Sequence, residues 1–206
     1  FKDPQFYTYA LTGSMATAGL YAYISGSPYV FMEIFRMNEK QYGLIFSFIA
    51  MGVIGASQLN NIALRYYSSE EIIGRAVVCQ SLIGVGLVLL NYFGRMELFS
   101  TVGLMFLFLA CQGFIFPNAS ALSLASFAHT AGSASALMGA IQMSIGAAAS
   151  VLVSVLQNGT ALPMVGMMAC CALLACSIFW AGRKRMTNRA AVELVEEEDV
   201  EMMGTL

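Results

Sequence analysis

The chain has 206 residues, 58% of them hydrophobic and only 11% charged, against roughly 25% charged residues in soluble domains. That excludes an ordinary soluble domain, and a formal net charge of -2 gives no reason to expect a nucleic-acid partner. The five cysteines (Cys79, Cys111, Cys170, Cys171 and Cys176) lack zinc-type spacing to the lone His129 and read as small apolar packing residues.

Six long apolar segments follow one another, at about 6–31, 42–64, 72–93, 98–127, 133–157 and 161–181. Each is long enough to cross about 30 Å of hydrocarbon as a helix, and none alternates as a barrel strand would. The expected fold is all-α and membrane-embedded: a six-helix domain over 1–182, then a cytoplasmic tail over 183–206. That tail is basic then acidic and reads as disordered. The chain opens on Phe1 with no signal-peptide pattern, which reads as a piece of a longer protein.

In chain order, the first span carries two candidate features. Thr12, Met15, Gly19 and Tyr23 recur at helical steps and form one face, with Tyr21 and Ser25 on the adjacent one. Pro28 stands about twenty residues into the span, near Gly26, and predicts a kink with a freed carbonyl. Before the second span, Asn38-Glu39-Lys40-Gln41 reads as a helix start, and its Gly52, Gly55 and Ala56 read as a packing face. Ser68-Ser69-Glu70-Glu71 reads as a capping box for the third span.

The fourth span repeats the interruption with Pro117, near Gly113. Asn118 beside it either satisfies a carbonyl that Pro117 frees or contacts a ligand. Met105, Phe108, Gln112, Phe116, Ala119 and Ser123 share one side. An unpaired amide in hydrocarbon costs several kcal/mol, so Gln112 is expected to face protein, water or ligand. Proline interruptions at matching places in two three-helix units of opposite topology point to a binding region; the alternative is a kink that serves packing alone. The fifth span is rich in small residues, with Ser135, Gly139, Gly146, Ser150 and Ser154 expected at helix contacts. Its Gln142 lines a cavity or bonds between helices. Asn158-Gly159 ends that helix, and Pro163 fits the first turn of the sixth.

Seven basic residues (Lys2, Arg65, Arg75, Arg183, Lys184, Arg185 and Arg189) fall on one side and three (Arg36, Lys40 and Arg95) on the other. The positive-inside rule then puts both chain ends in the cytoplasm. No Asp, Glu, Lys or Arg stands in the middle of a span, so no proton carrier is legible here. No catalytic constellation is legible either, which argues against an enzyme, and neither a metal nor a cofactor is expected.

The stretches "GSPYVFMEIF", "GASQLNNIALRYYS", "FPNASALSLASFAHTAGSASALMGAIQ" and "GTALPM" together resemble the carboxy-terminal half of a major facilitator superfamily transporter, of the Bcr/CflA-type drug-resistance group. The resemblance implies helices seven to twelve of a twelve-helix protein whose halves rock about a central site, exporting drugs in exchange for protons. It implies that the first and fourth spans line the cavity, and that the proton-carrying acid belongs to the amino-terminal half. Asn60 and Asn61 stand where the superfamily's loop motif, similar to residues 55–65, usually has an acid. The partners it implies are a small-molecule substrate, protons, the lipid bilayer and that other half. The location it implies is a bacterial inner membrane. Candidate cavity residues are Thr12, Met15, Tyr23, Met105, Phe108, Gln112, Phe116 and Gln142. A uniporter or nutrient importer of the same superfamily is the alternative.

Overall fold

A computed structural model describes the backbone of residues 4–94 and 97–204, and the side chains of 4–94, 97–127 and 130–186. Lys2, Arg95, the side chains of His129 and Arg189, and those of the acidic run 193–201 lie outside the described residues. The helices are α1 (Pro4–Pro28), α2 (Glu39–Ala63), α3 (Ser69–Tyr92), α4 (Leu98–Leu124), α5 (Ala131–Val155) and α6 (Leu162–Gly204). The first five run 24 to 27 residues, or about 36–40 Å at 1.5 Å per residue, enough to span a bilayer.

The punctuation forms as its chemistry requires. Asn38 Oδ1 accepts from the Gln41 N–H at 2.9 Å, and Gln41 Oε1 accepts from the Asn38 N–H at 3.0 Å. Ser68 and Glu71 make the same reciprocal pair at the head of α3. Gly159 takes φ +85° in the turn between α5 and α6, and Pro163 is the second residue of α6, where the missing N–H is harmless. After Pro28 the chain does not break. It widens into a π-helical segment, Tyr29–Ile34, in which the Phe35 N–H reaches back five residues to Val30 O at 3.1 Å. Between α4 and α5 the backbone tightens into a 3₁₀ segment, Ala125–Thr130, kinked at Phe127. The backbone of α6 continues helical to Gly204, through the stretch read from composition as unfolded. Ala, Leu, Met and Glu, all good helix formers, fill that stretch.

The helices pack in two layers. One is a row in the order α2, α4, α1, α5. Behind it lie α3, against α4, and α6, against α1, and these two also pack on each other. Exchanging α1 with α4, α2 with α5 and α3 with α6 leaves this pattern of neighbours unchanged. A unit of three crossings starts its successor on the opposite side of the membrane, so the chain is two three-helix inverted repeats.

Among the described residues five helices, α2 to α6, are long and apolar enough to cross a membrane; α1 is long enough but too polar to qualify on its own. Its place explains this. With α4, α5 and α6 around it, α1 buries Thr8, Thr12, Ser14, Thr17 and Ser27, which hydrocarbon would penalise. Each of Thr8, Thr12 and Thr17 donates to the carbonyl four residues back, at 2.7 to 2.8 Å, so their hydroxyls reach the interior already paired.

Candidate functional site

The α1 face singled out by periodicity points into the bundle. Thr12 is fully buried and bonded to its own helix. A methyl added at Gly19 would lie 3.1 Å from the Phe108 ring. The buried Tyr23 ring stacks on Phe46 of α2 at 5.8 Å, and Met15 is half-buried against the cluster of Tyr9, Ala119 and Phe179. On α4, Met105 and Phe108 are fully buried in the main core, where Phe108 also reaches Gly84 of α3. The reason is the two-layer packing: α4 carries α3 behind it and α1 beside it, and Phe108 reaches Gly84 of α3 and Gly19 of α1.

The neighbouring α1 face, a quarter-turn away, meets α4 and α5 in a narrow cleft. Its lining is Tyr9, Ala10, Gly13 and Ser14 from α1, Phe116, Ala119 and Ser120 from α4, and Met138 and Gln142 from α5. The space is about 170 Å³ in all and too tight to hold a water as it stands. Gly13 permits that closeness, since a methyl there would sit 3.1 Å from Ala119 Cβ. The Ser120 hydroxyl is buried in the cleft without a hydrogen-bond partner, and Phe116 is 38% exposed at its edge. Behind it, Gln112 Nε2 donates to Thr17 Oγ1, which itself donates to Gly13 O at 2.8 Å. Gln112 Oε1 is left buried and unpaired.

Of the eight cavity candidates, the structure therefore brings Phe116 and Gln142 to one cleft, while Gln112 lies outside its lining, bonded to Thr17. Thr12, Met15, Tyr23, Met105 and Phe108 go to core positions. Sequence reasoning passed over Ser14, Thr17 and Ser120. The four-residue step Gly13–Thr17–Tyr21 was the available signal, and it runs beside the face that was chosen.

The row is held by small residues and amides. A methyl at Gly113 would lie 2.8 Å from both Ala56 Cβ and Ser57 N of α2, and one at Gly52 would lie 2.7 Å from the Phe106 ring of α4. Asn118 Nδ2 donates to Asn60 Oδ1 on α2 at 2.6 Å and to Phe114 O on its own helix at 2.7 Å. Asn118 thus serves helix contact, beside Pro117, through which α4 runs as one helix. On the other flank, Gly146 lies against the Tyr21 ring, and the Ser150 hydroxyl donates to Tyr21 O at 3.3 Å. Ser25 Oγ donates to Ser150 O at 3.2 Å and lies 3.3 Å from Ser154 Oγ. Gly139 differs: nothing in this half lies within 4 Å of where its Cβ would be.

Among the described residues no group of three His, Cys, Asp or Glu side chains gathers. The ion pair Glu70–Arg183, at 2.8 Å, ties the head of α3 to α6 at one end of the bundle.

The chain is 27% identical over 188 residues to an uncharacterized MFS-type transporter, YdgK, of Bacillus subtilis, covering 91% of this chain and 46% of that protein. It is 26% identical over 175 residues to a bicyclomycin resistance protein homolog of Haemophilus influenzae, covering 85% of this chain and 44% of that protein. The chain matches the carboxy-terminal half of a major facilitator superfamily transporter. It spans about half the length of these relatives, and the exchange symmetry of its six helices is that of a major facilitator half. No family model and no solved structure matches it.

Proposed function

We propose that this major facilitator half supplies one wall of the central cavity in a proton-coupled exporter of drugs or other small amphipathic molecules, working by alternating access in a bacterial inner membrane. An amino-terminal half supplies the other wall and the proton-carrying acid, and both ends of this chain face the cytoplasm. The observation that carries the reading is the α1–α4–α5 cleft. It sets two hydroxyls and an amide (Ser14, Ser120 and Gln142) against Phe116 and Met138, a polar and deformable mixture suited to varied amphipathic ligands. The relative named for bicyclomycin resistance agrees with export of a drug. The cleft is closed to water as it stands, so substrate enters when α5 moves off α1 and α4. For that motion the serine hydroxyl contacts at 3.2 to 3.3 Å on the α1–α5 flank exchange their partners.

Gln142→Ala in the full-length transporter tests it. Gln142 is half-buried on the cleft wall, and one lost amide hydrogen bond is worth about 1 kcal/mol, or about fivefold in affinity. The expected result is a several-fold change in resistance to some compounds of a drug panel, at unchanged protein level. Unchanged resistance across the panel removes the cleft from the site. Coupling is read separately: substrate added to energised vesicles should partly collapse the pH gradient. A gradient that stays intact during transport selects the uniporter reading.

A further inference from the structure

The back layer carries a second feature, unrelated to the cleft. Where α3 begins and the membrane-crossing part of α6 ends, a pocket of about 400 Å³ opens between them. Its rim holds Arg75 and Arg183 beside Glu70 and Glu71, and Trp180 forms a wall. Further along the same α3–α6 seam lies a second hollow of about 410 Å³, lined by Val85, Leu89, Leu173 and Leu174 among others. On α3 the outward residues Glu71, Arg75, Val78, Leu82, Val85 and Leu89 recur at alternating steps of four and three, which keeps them on one stripe. The seam thus carries a charged hollow and an apolar one, with the exposed Leu82 between them on the same stripe, and we treat the two as one furrow. From Arg75 to Leu89 it runs about 21 Å at 1.5 Å per residue, the scale of an acyl chain.

We infer that this furrow holds one phospholipid with a zwitterionic, primary-amine headgroup of the phosphatidylethanolamine type. The rim has two cations and two carboxylates, so a purely anionic headgroup gains from the arginines and loses to the glutamates. A headgroup with both signs meets partners for each. Arg75 lies over the Tyr67 ring at 4.4 Å and has no carboxylate partner among the described residues, so its guanidinium is available to a phosphate. Arg183 is held by Glu70 and lies 5.5 Å above the Trp180 ring. Glu71, although its Oε2 accepts from the Ser68 N–H, keeps a second carboxylate oxygen for the ammonium. Tyr67 and Trp180 mark this level as the membrane–water boundary, where a headgroup lies.

The test is native mass spectrometry of the full-length protein in detergent, titrated in parallel with phosphatidylethanolamine and phosphatidylglycerol. One tightly retained phosphatidylethanolamine is expected, with phosphatidylglycerol retained more weakly. Phosphoethanolamine without acyl chains should not displace it. Arg75→Gln should weaken retention about tenfold, the scale of one lost charge-assisted contact. Val85→Phe, on the outward wall of the trough and away from the charges, should do the same by filling the space. Equal retention of the two lipids, displacement by the bare headgroup, or retention unchanged in both variants overturns the inference.

Discussion

Gly113→Leu is expected to abolish the folded, monodisperse protein in detergent, and Gly113→Ala to lower its stability by about 1–3 kcal/mol. The ground is where the added atoms go. A first methyl at Gly113 already lies 2.8 Å from Ala56 Cβ and Ser57 N, and it also meets the Val53 carbonyl oxygen. Two of these three are backbone atoms of α2, which no rotamer change can move aside. To admit the methyl, α2 and α4 must separate along their whole contact, so the loss is shared by every pair packed at that crossing. Gly103 lies on the same helix, and nothing stands within 4 Å of its Cβ direction. Gly103→Ala should leave the melting temperature unchanged or slightly raised, because it removes only helix-disfavouring backbone freedom. Thermal denaturation followed by size-exclusion chromatography separates the two. Equal behaviour of Gly113→Ala and Gly103→Ala would show that α2 and α4 are not in close contact there.

That contrast shows where the sequence was informative. Helix positions and caps were legible because they depend on local chemistry: apolar run length, an Asn or Ser before the first turn, a Gln or Glu three residues later. Small residues at four-residue steps located the close contacts of α5 at Gly146 and Ser150, and of α2 at Gly52 and Ala56. The same rule leaves Gly139 with no neighbour in this half, since periodicity places a residue on a face without telling which helix covers it. The cleft was the least legible part, for a related reason. On a surface helix the polar stripe marks what is special. On α1, buried on several sides, polar residues occupy several faces, and Thr8, Thr12 and Thr17 are paired to their own backbone. Choosing Thr12–Met15–Gly19–Tyr23 over Gly13–Thr17–Tyr21 required knowing that the first set meets core side chains such as Phe108 of α4 and Phe46 of α2. Gln112 was legible as an amide needing a partner; that the partner is Thr17 depends on the α1–α4 crossing.

The exchange symmetry pairs two crossings, α2 on α4 and α5 on α1, that the chain closes with different chemistry. The α5 crossing is held by serine hydroxyls at 3.2 to 3.3 Å, each replaceable by water. The α2 crossing buries a pair of asparagines, Asn60 and Asn118, that are 3% and 2% exposed. Interhelical hydrogen bonds in membrane proteins average about 0.6 kcal/mol and reach about 1.7 kcal/mol, while a buried polar group left unpaired costs about 1–3 kcal/mol. The second range is the larger, so loss of one partner is governed by the orphan it leaves. In Asn118→Leu, Asn60 keeps its buried amide and loses its donor. That variant is expected to be destabilised by about 2 kcal/mol. Asn60→Leu should be milder, because Asn118 Nδ2 retains Phe114 O at 2.7 Å. The double variant should be more stable than Asn118→Leu alone, with a coupling of about 1 kcal/mol between the sites. The measurement is a double-mutant cycle on denaturant unfolding in mixed micelles. Strictly additive losses would mean that the two amides do not share a hydrogen bond, and that α2 is held to α4 by the close approaches at Gly113 and Gly52.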